Sequence, residues 1–273
     1  MQILHRWFAS RPVSCYFILT IIISWSYWFV LLARGDQVRP GSTATHLPGL
    51  MGPMIAAVVV TWVAFGKTAL IEFLKNAIIL PRPYMRNALL ALSPIFIGGV
   101  VFLALAAFGK PLPSLVAFSE YPGAPSSVSL LFILLVVLVL NGYGEEAGWR
   151  GFATRLLVPR FGRFRATLVV AAMWMVWHAP LFWLNTSMHA LVGPVLIGWA
   201  FGLLCAAFLL AGLYFASHNS VLVVAVWHTL YNFTVSTPAG TGTPAAVITT
   251  IVMAWGTYFA LVWWRNARTK SNI

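Results

Sequence analysis

Two adjacent glutamates, Glu145 and Glu146, carry the strongest chemical signal in this sequence. They follow a long apolar run at 128–140, and the whole chain has only 5 Asp and Glu residues. A carboxylate inside a membrane-spanning stretch costs about 2.5–3.5 kcal/mol or more, so it is a functional candidate by default. Arg150 follows Glu146 by four residues, the spacing of an ion pair on a helix. Glu145 points about 100° away around the same helix, and we predict that it is the free carboxylate.

Three further polar side chains interrupt apolar stretches later in the chain: His178, His228 and Asn232. His228 and Asn232 are four residues apart, so a helix places them on one face. A carboxylate with an imidazole in a partly dry cavity can activate water as a general base. A second imidazole and a carboxamide can donate hydrogen bonds to a developing oxyanion. Together with Glu145, these residues predict amide hydrolysis without a covalent intermediate.

The composition indicates a membrane environment for these residues. Hydrophobic residues make up 60% of the chain and charged residues 8%, whereas soluble domains carry roughly 25% charged residues. We predict an all-α, polytopic helical bundle forming a single integral-membrane domain over 1–273, with a motif-bearing core at about 128–235. The apolar stretches predict eight spanning helices, at 14–33, 47–65, 88–108, 128–149, 166–184, 191–215, 221–233 and 245–264.

The basic residues predict the orientation of this bundle. A net charge of +12 in a soluble protein would suggest a nucleic-acid partner, but here the charges lie in short segments between apolar runs. With eight spans, only Arg34, Arg39 and Lys110 of the 17 Lys and Arg residues fall on the side opposite the termini, which leaves 17 − 3 = 14 beside them. The positive-inside rule then places both termini in the cytoplasm. The lipid bilayer is the expected partner, nucleic acid is not, and the short loops favour a multi-pass protein of a prokaryotic plasma membrane.

One inconsistency in depth remains at this point. The basic segments 66–87 and 150–165 alternate with apolar residues and predict helices lying in the membrane interface. At about 1.5 Å per residue, His178 lies roughly 18 Å into the fifth span, while Glu145 lies near the end of the fourth. Either the fifth helix projects into the cytosol or the fourth continues past Trp149. We expect a water-filled cavity that opens to the cytoplasm.

Three motifs in order carry a family resemblance. They are Glu-Glu-x-x-x-Arg at Glu145 to Arg150, aromatic-x-x-x-His at Trp174 to His178, and His-x-x-x-Asn at His228 to Asn232. The ordered set resembles the CPBP family, the CAAX protease and bacteriocin-processing (Abi) enzymes, which include the type II CAAX prenyl endopeptidases. The family's second motif usually begins with Phe. Because Trp174 is also aromatic, we expect this departure to affect only local packing.

The resemblance implies an intramembrane endopeptidase of the glutamate type that cuts a peptide bond near the cytoplasmic membrane face. It implies that Glu145 and His178 activate the attacking water and that His228 and Asn232 stabilise the oxyanion. Glu146 and Arg150 would be supporting members of the first motif. The implied partner is a peptide or protein substrate, which is prenylated in CAAX-type processing, and a role in bacteriocin self-immunity is the other possibility within the family.

Two alternatives stay open on the sequence. HExxH is absent, so no cofactor is expected, but one Glu and two His could still ligate zinc in a metallopeptidase. A non-catalytic transporter or an immunity or scaffold protein could use the same buried polar residues to couple to protons or bind a partner. The remaining histidines are expected to be exposed, namely His5, His46, His189 and His218.

Overall fold

The computed structural model describes residues 2–271, with side chains described over 5–269, and this part of the chain is built from helices. Six helical stretches in it are long and apolar enough to cross a membrane, and a shorter apolar helix spans Val221–Ser236. The helices are α1 Gln2–Ser10, α2 Pro12–Ala33, α3 Gly52–Ile78, α4 Tyr84–Ala107, α5 Leu115–Ser119, α6 Leu130–Val137, α7 Gly144–Glu146, α8 Arg155–Trp177, α9 Leu181–Leu184, α10 Thr186–His189, α11 Val195–Ala216, α12 Val221–Ser236 and α13 Thr243–Ser271.

The all-α, polytopic bundle is confirmed, but the predicted count of eight spans is too high by this measure. The predicted fourth and fifth spans belong to one continuous helical stretch, Leu130–Trp177. Apolar runs in the sequence are separated wherever arginines cluster, and the cluster at 150–165 suggested a boundary there. In the structure the two predicted spans are the two arms of a single stretch that is interrupted only at Gly162. Counted in this way, the long stretches number six, with one shorter helix.

The stretch Leu130–Trp177 nevertheless folds back on itself at Gly162. This glycine has φ 71° and ψ 168°, which no helix residue adopts. Glu145 and Trp174 lie on opposite sides of it and are joined by a hydrogen bond of 2.6 Å although they are 29 residues apart. A straight helix would hold them about 44 Å apart. The two arms therefore pack side by side.

The reversal at Gly162 explains how Glu145 and His178 reach the same depth in the bundle. The first arm continues well past Trp149, and residues 150–154 are all buried, so the prediction of an interfacial segment starting at Arg150 is wrong for its first turn. Glu145 lies 17 residues before Gly162 and His178 lies 16 residues after it, so both are about 25 Å from the turn. The fourth helix continues beyond its predicted end, and the two residues stand at one level.

We expect Gly162→Ala to lower the free energy of unfolding by about 1–3 kcal/mol, since an L side chain is strained in this backbone region. A steric clash with neighbouring residues does not contribute, because a Cβ at Gly162 would meet nothing within 4 Å. Gly198→Ala is the matched control: it is equally unobstructed but lies inside α11, where alanine should stabilise by about 0.5–1 kcal/mol. Thermal unfolding in detergent would measure both, and equal effects would contradict the assigned turn.

The other basic segment, 66–87, is broken at its prolines, as their positions in the sequence indicate. Helix α3 ends at Ile78 and α4 begins at Tyr84, so Pro81 and Pro83 lie in the connection, as their missing N–H groups and fixed φ favour. A second glycine with positive φ, Gly66 at 83°, interrupts α3 where the apolar part gives way to the basic part.

Four loops interlock at the end of the bundle opposite Gly162, and we call this end the loop face. It consists of residues 34–46, 108–129, 178–194 and 237–242. Isolated bridges join Val38 to Asn185 and Pro40 to Pro122, and the Ala239 amide donates to the Ala117 carbonyl at 3.4 Å. Backbone groups that would otherwise be unpaired thereby satisfy one another. The loop face forms a cap over the helix ends near His178.

Candidate active site

The Glu145–Glu146 pair lies between two π-helical segments, Leu138–Tyr143 and Ala147–Thr154. Such segments are rare and occur frequently at functional sites, because the extra residue per turn changes which side chains share a face. Gly142 allows close approach of the neighbouring helix: a Cβ there would lie 2.6 Å from the Ala225 carbonyl oxygen of α12. Helix α12, which carries the third motif, therefore packs directly against the first.

Glu146 is fully buried and is shared by two partners. Its Oε1 accepts a hydrogen bond from Arg150 Nη1 at 2.9 Å, which confirms the predicted ion pair. The same oxygen lies 2.8 Å from His228 Nδ1. The sequence did not predict this second contact. A carboxylate bound to Nδ1 sets the orientation of an imidazole and leaves Nε2 to meet other groups, so Glu146 positions His228 as well as Arg150.

Glu145 is not the free carboxylate that helix geometry predicted. It is 3% exposed, and each of its oxygens accepts a hydrogen bond. Trp174 Nε1 donates to Oε2 at 2.6 Å, and the Asn141 amide donates to Oε1. Within residues 5–269 no hydrogen bond joins Glu145 to His178 or His228. The physical reason is burial, because an ionised carboxylate away from water requires hydrogen-bond donors. The donors within reach are Asn141 on the first arm of the stretch Leu130–Trp177 and Trp174 on the second arm.

The two histidines meet around the same indole ring. His178 follows the last residue of α8, and its Nδ1 lies 2.7 Å from the Trp174 carbonyl oxygen. Its ring centroid is 5.5 Å from that of Trp174, and the His228 ring centroid is 5.8 Å from that of Trp174. Both rings thus lie close to the indole that binds Glu145. The structure brings together the three predicted motifs, with Trp174 between them.

Asn232 joins the site through Asn141, which sequence reasoning did not include among the site residues. The Asn232 amide donates to Asn141 Oδ1, and Asn141 in turn donates to Glu145. Asn141 is 3% exposed. A signal for it existed in the sequence, since it is a polar residue one helical turn before Glu145 in an otherwise apolar run. Asn141 therefore joins Asn232 to Glu145, Trp174 and His178 in one hydrogen-bonded group. Glu146, Arg150 and His228 form a second group beside it.

Tyr121 reaches the site from the loop face. It is 4% exposed, and its ring lies 4.9 Å from that of Phe233. Burial and then the nearby charge of Glu145 raise the pKa of the Tyr121 phenol, while a hydrogen bond with Asn232 lowers it less. The hydroxyl accordingly stays protonated and can donate. No pattern around Tyr121 distinguishes it from other loop residues, so only the folded chain reveals its position.

The prediction that His46 is exposed is wrong. It is 7% exposed, and burial lowers the pKa of its imidazole to about 4, so it is neutral at physiological pH. The Trp28 indole donates to its carbonyl oxygen at 3.0 Å, which holds the loop against α2. In contrast, His5, His189 and His218 are exposed, as predicted. Among the described residues, no three His, Cys, Asp or Glu side chains lie close enough together to hold a metal ion.

The fold and the site define a class of protein: a polytopic helical membrane protein that brings two buried glutamates together with two histidines and an asparagine. Residues 127–234 match the family model described as type II CAAX prenyl endopeptidase, Rce1-like. The chain is also 26% identical over 180 residues to CAAX prenyl protease 2 of Methanococcus maripaludis. That similarity covers 63% of this chain and 63% of that protein. Over residues 127–234 the chain is therefore similar to type II CAAX prenyl endopeptidases.

Proposed function

We propose that this protein is an intramembrane endopeptidase of the glutamate type. The observation that carries the proposal is the buried Glu145 carboxylate, oriented by two donors at the level of two histidines inside an apolar bundle. Burying an ionisable group of this kind costs free energy. The similarity to type II CAAX prenyl endopeptidases supports a catalytic role for it. We propose that the peptide bond is cut near the cytoplasmic membrane face, as the resemblance implies.

In the proposed reaction, Glu145 and His178 remove a proton from water as it attacks the scissile carbonyl carbon. The carbonyl oxygen becomes an oxyanion and accepts hydrogen bonds from His228 Nε2 and Asn232. Asn232 has two N–H donors, and only one of them is occupied by Asn141. When the tetrahedral intermediate collapses, the proton passes to the leaving amine and the C–N bond breaks.

The supporting residues balance the charge of this site. Two carboxylates in an apolar interior require compensation. Arg150 supplies one positive charge at 2.9 Å from Glu146, and a doubly protonated His228 at 2.8 Å from the same oxygen supplies the other. Glu146 and Arg150 are thus proposed to hold His228 in place and not to take part in proton transfer with substrate.

The proposed substrate is a peptide or protein that reaches the site within the membrane. The name of the relative, CAAX prenyl protease 2, supports a prenylated C-terminal tail, and bacteriocin self-immunity is the other role that the family suggests. We also propose a cell-membrane location with both termini in the cytoplasm, supported by the concentration of basic residues on the side of Gly162.

A peptidomic comparison of membranes tests this function. Membranes carrying the wild type should contain cleaved peptides that are lost when His178 and His228 are both replaced by glutamine. A variant with His189 and His218 replaced by glutamine is the matched control, because both are exposed, and it should keep the wild-type pattern. Identical peptides from all three proteins would favour a non-catalytic transporter or scaffold. Cleavage that a chelator abolishes and zinc restores would favour the metallopeptidase.

A further inference from the structure

A single buried side chain, Trp174, contacts four charged or titratable groups in the candidate site: Glu145, Arg150, His178 and His228. Its Nε1 lies 2.6 Å from Glu145 Oε2, and the Arg150 guanidinium carbon lies 4.9 Å from its ring centroid. The rings of His178 and His228 approach it at 5.5 Å and 5.8 Å. Trp174 is 5% exposed. Its contact with Glu145 corrects the expectation that an aromatic ring here affects only local packing.

The indole can fix the direction of the Glu145 carboxylate because it is a rigid donor. An indole nitrogen donates one hydrogen bond and accepts none, and a bond to an ionised carboxylate is short and roughly twice as strong as a neutral one. The cation of Arg150 over the ring face and the carboxylate at the ring edge match the charge distribution of an aromatic ring. The ring is therefore held from two directions and cannot turn away from Glu145.

We propose that Trp174 is a positioning residue that holds Glu145 Oε2 in the orientation needed to accept a proton from water. This rests on the proposed function. Asn141 donates to the other oxygen, so both oxygens of the Glu145 carboxylate are fixed by a hydrogen bond. Loss of the indole N–H leaves the carboxylate held only at the oxygen that Asn141 binds. It can then rotate more readily about its last bond, and the reactive geometry is populated for a smaller fraction of the time.

Trp174→Phe removes the donor and keeps an aromatic ring between the histidines. The matched control is Trp227→Phe: Trp227 is 1% exposed, and its Nε1 donates to Ser93 Oγ at 3.0 Å, away from Glu145. Both variants lose one buried indole hydrogen bond. We expect Trp174→Phe to lower kcat about 10–100-fold with KM within about twofold, the size of one positioned charge-assisted bond. Trp227→Phe should stay within about twofold in both constants.

A spectroscopic measurement checks the bond itself. In protein labelled with ¹⁵N-tryptophan, the Trp174 indole resonance, assigned by its loss in Trp174→Phe, should have a strongly deshielded N–H proton. That proton should move upfield in Glu145→Gln, which keeps an acceptor but lacks the charge. An unchanged resonance would overturn the proposal whether or not the protein cleaves peptides. If Glu145→Gln stops cleavage and Trp174→Phe lowers kcat no more than Trp227→Phe does, the positioning role is wrong and the proposed function stands. If Glu145→Gln cleaves like the wild type, both are wrong.

Discussion

Glu145→Gln is expected to lower the rate of peptide cleavage by at least about 10³-fold, within the range that a positioned general base contributes. Glutamine has the same size and can still accept the Trp174 hydrogen bond with its amide oxygen. It cannot take a proton from water. The fold should persist, because the change removes a buried charge and leaves Arg150 paired with Glu146. Purified protein in liposomes with a fluorogenic peptide would give the rate, normalised to the folded fraction.

Glu72→Gln is the control for this measurement. Glu72 is exposed on α3, and its replacement should leave the rate unchanged. Cleavage by Glu145→Gln at more than about a tenth of the wild-type rate would be incompatible with a general base contributing as much as such residues do. Glu146 would then be the next carboxylate to test, since it binds His228 directly.

Arg150→Met is expected to destabilise the protein by about 3–5 kcal/mol, the cost of removing one partner from a buried ion pair. Arg150 is 0% exposed, and methionine would leave the Glu146 carboxylate in an apolar interior with His228 as its single remaining partner among the described hydrogen bonds. Thermal or denaturant unfolding in detergent, followed by circular dichroism, would measure the loss.

The double variant Glu146→Gln with Arg150→Met separates charge from packing. It removes both ions, so most of the lost stability should return even though the arginine side chain stays truncated. Its cleavage rate should remain low, because a neutral glutamine no longer compensates the charge on His228. A double variant as unstable as Arg150→Met alone would mean that Arg150 acts through packing and not through its charge.

The membrane class and the chemical inventory of the site were predictable from the sequence. An excess of apolar residues can only be accommodated by lipid or by a large core. A helical spacing of four residues pairs Glu146 with Arg150 and places His228 and Asn232 on one face. Both expectations depend on local geometry within a single helix. The structure confirms the ion pair, and Asn232 on helix α12 donates to Asn141 on another helix.

Contacts between distant segments could not be predicted in this way. The reversal at Gly162 depends on one backbone angle, φ 71°, inside a stretch that hydropathy alone divides differently. The bond between Trp174 and Glu145 exists only because that reversal brings the two arms together. Tyr121 enters the site because the loops bridge one another, and no residue near it has a periodic pattern.

The sequence by itself determined that this chain is an all-α membrane protein with paired acids, two histidines and an asparagine in the order that the family resemblance was based on. Only the tertiary structure decided which partner each acid has. Glu146 binds Arg150 and His228, while Glu145 binds Asn141 and Trp174. The reason is that a buried carboxylate takes whichever donors the packing of helices brings within about 3 Å, and spacing along one helix does not specify the neighbours that other helices supply.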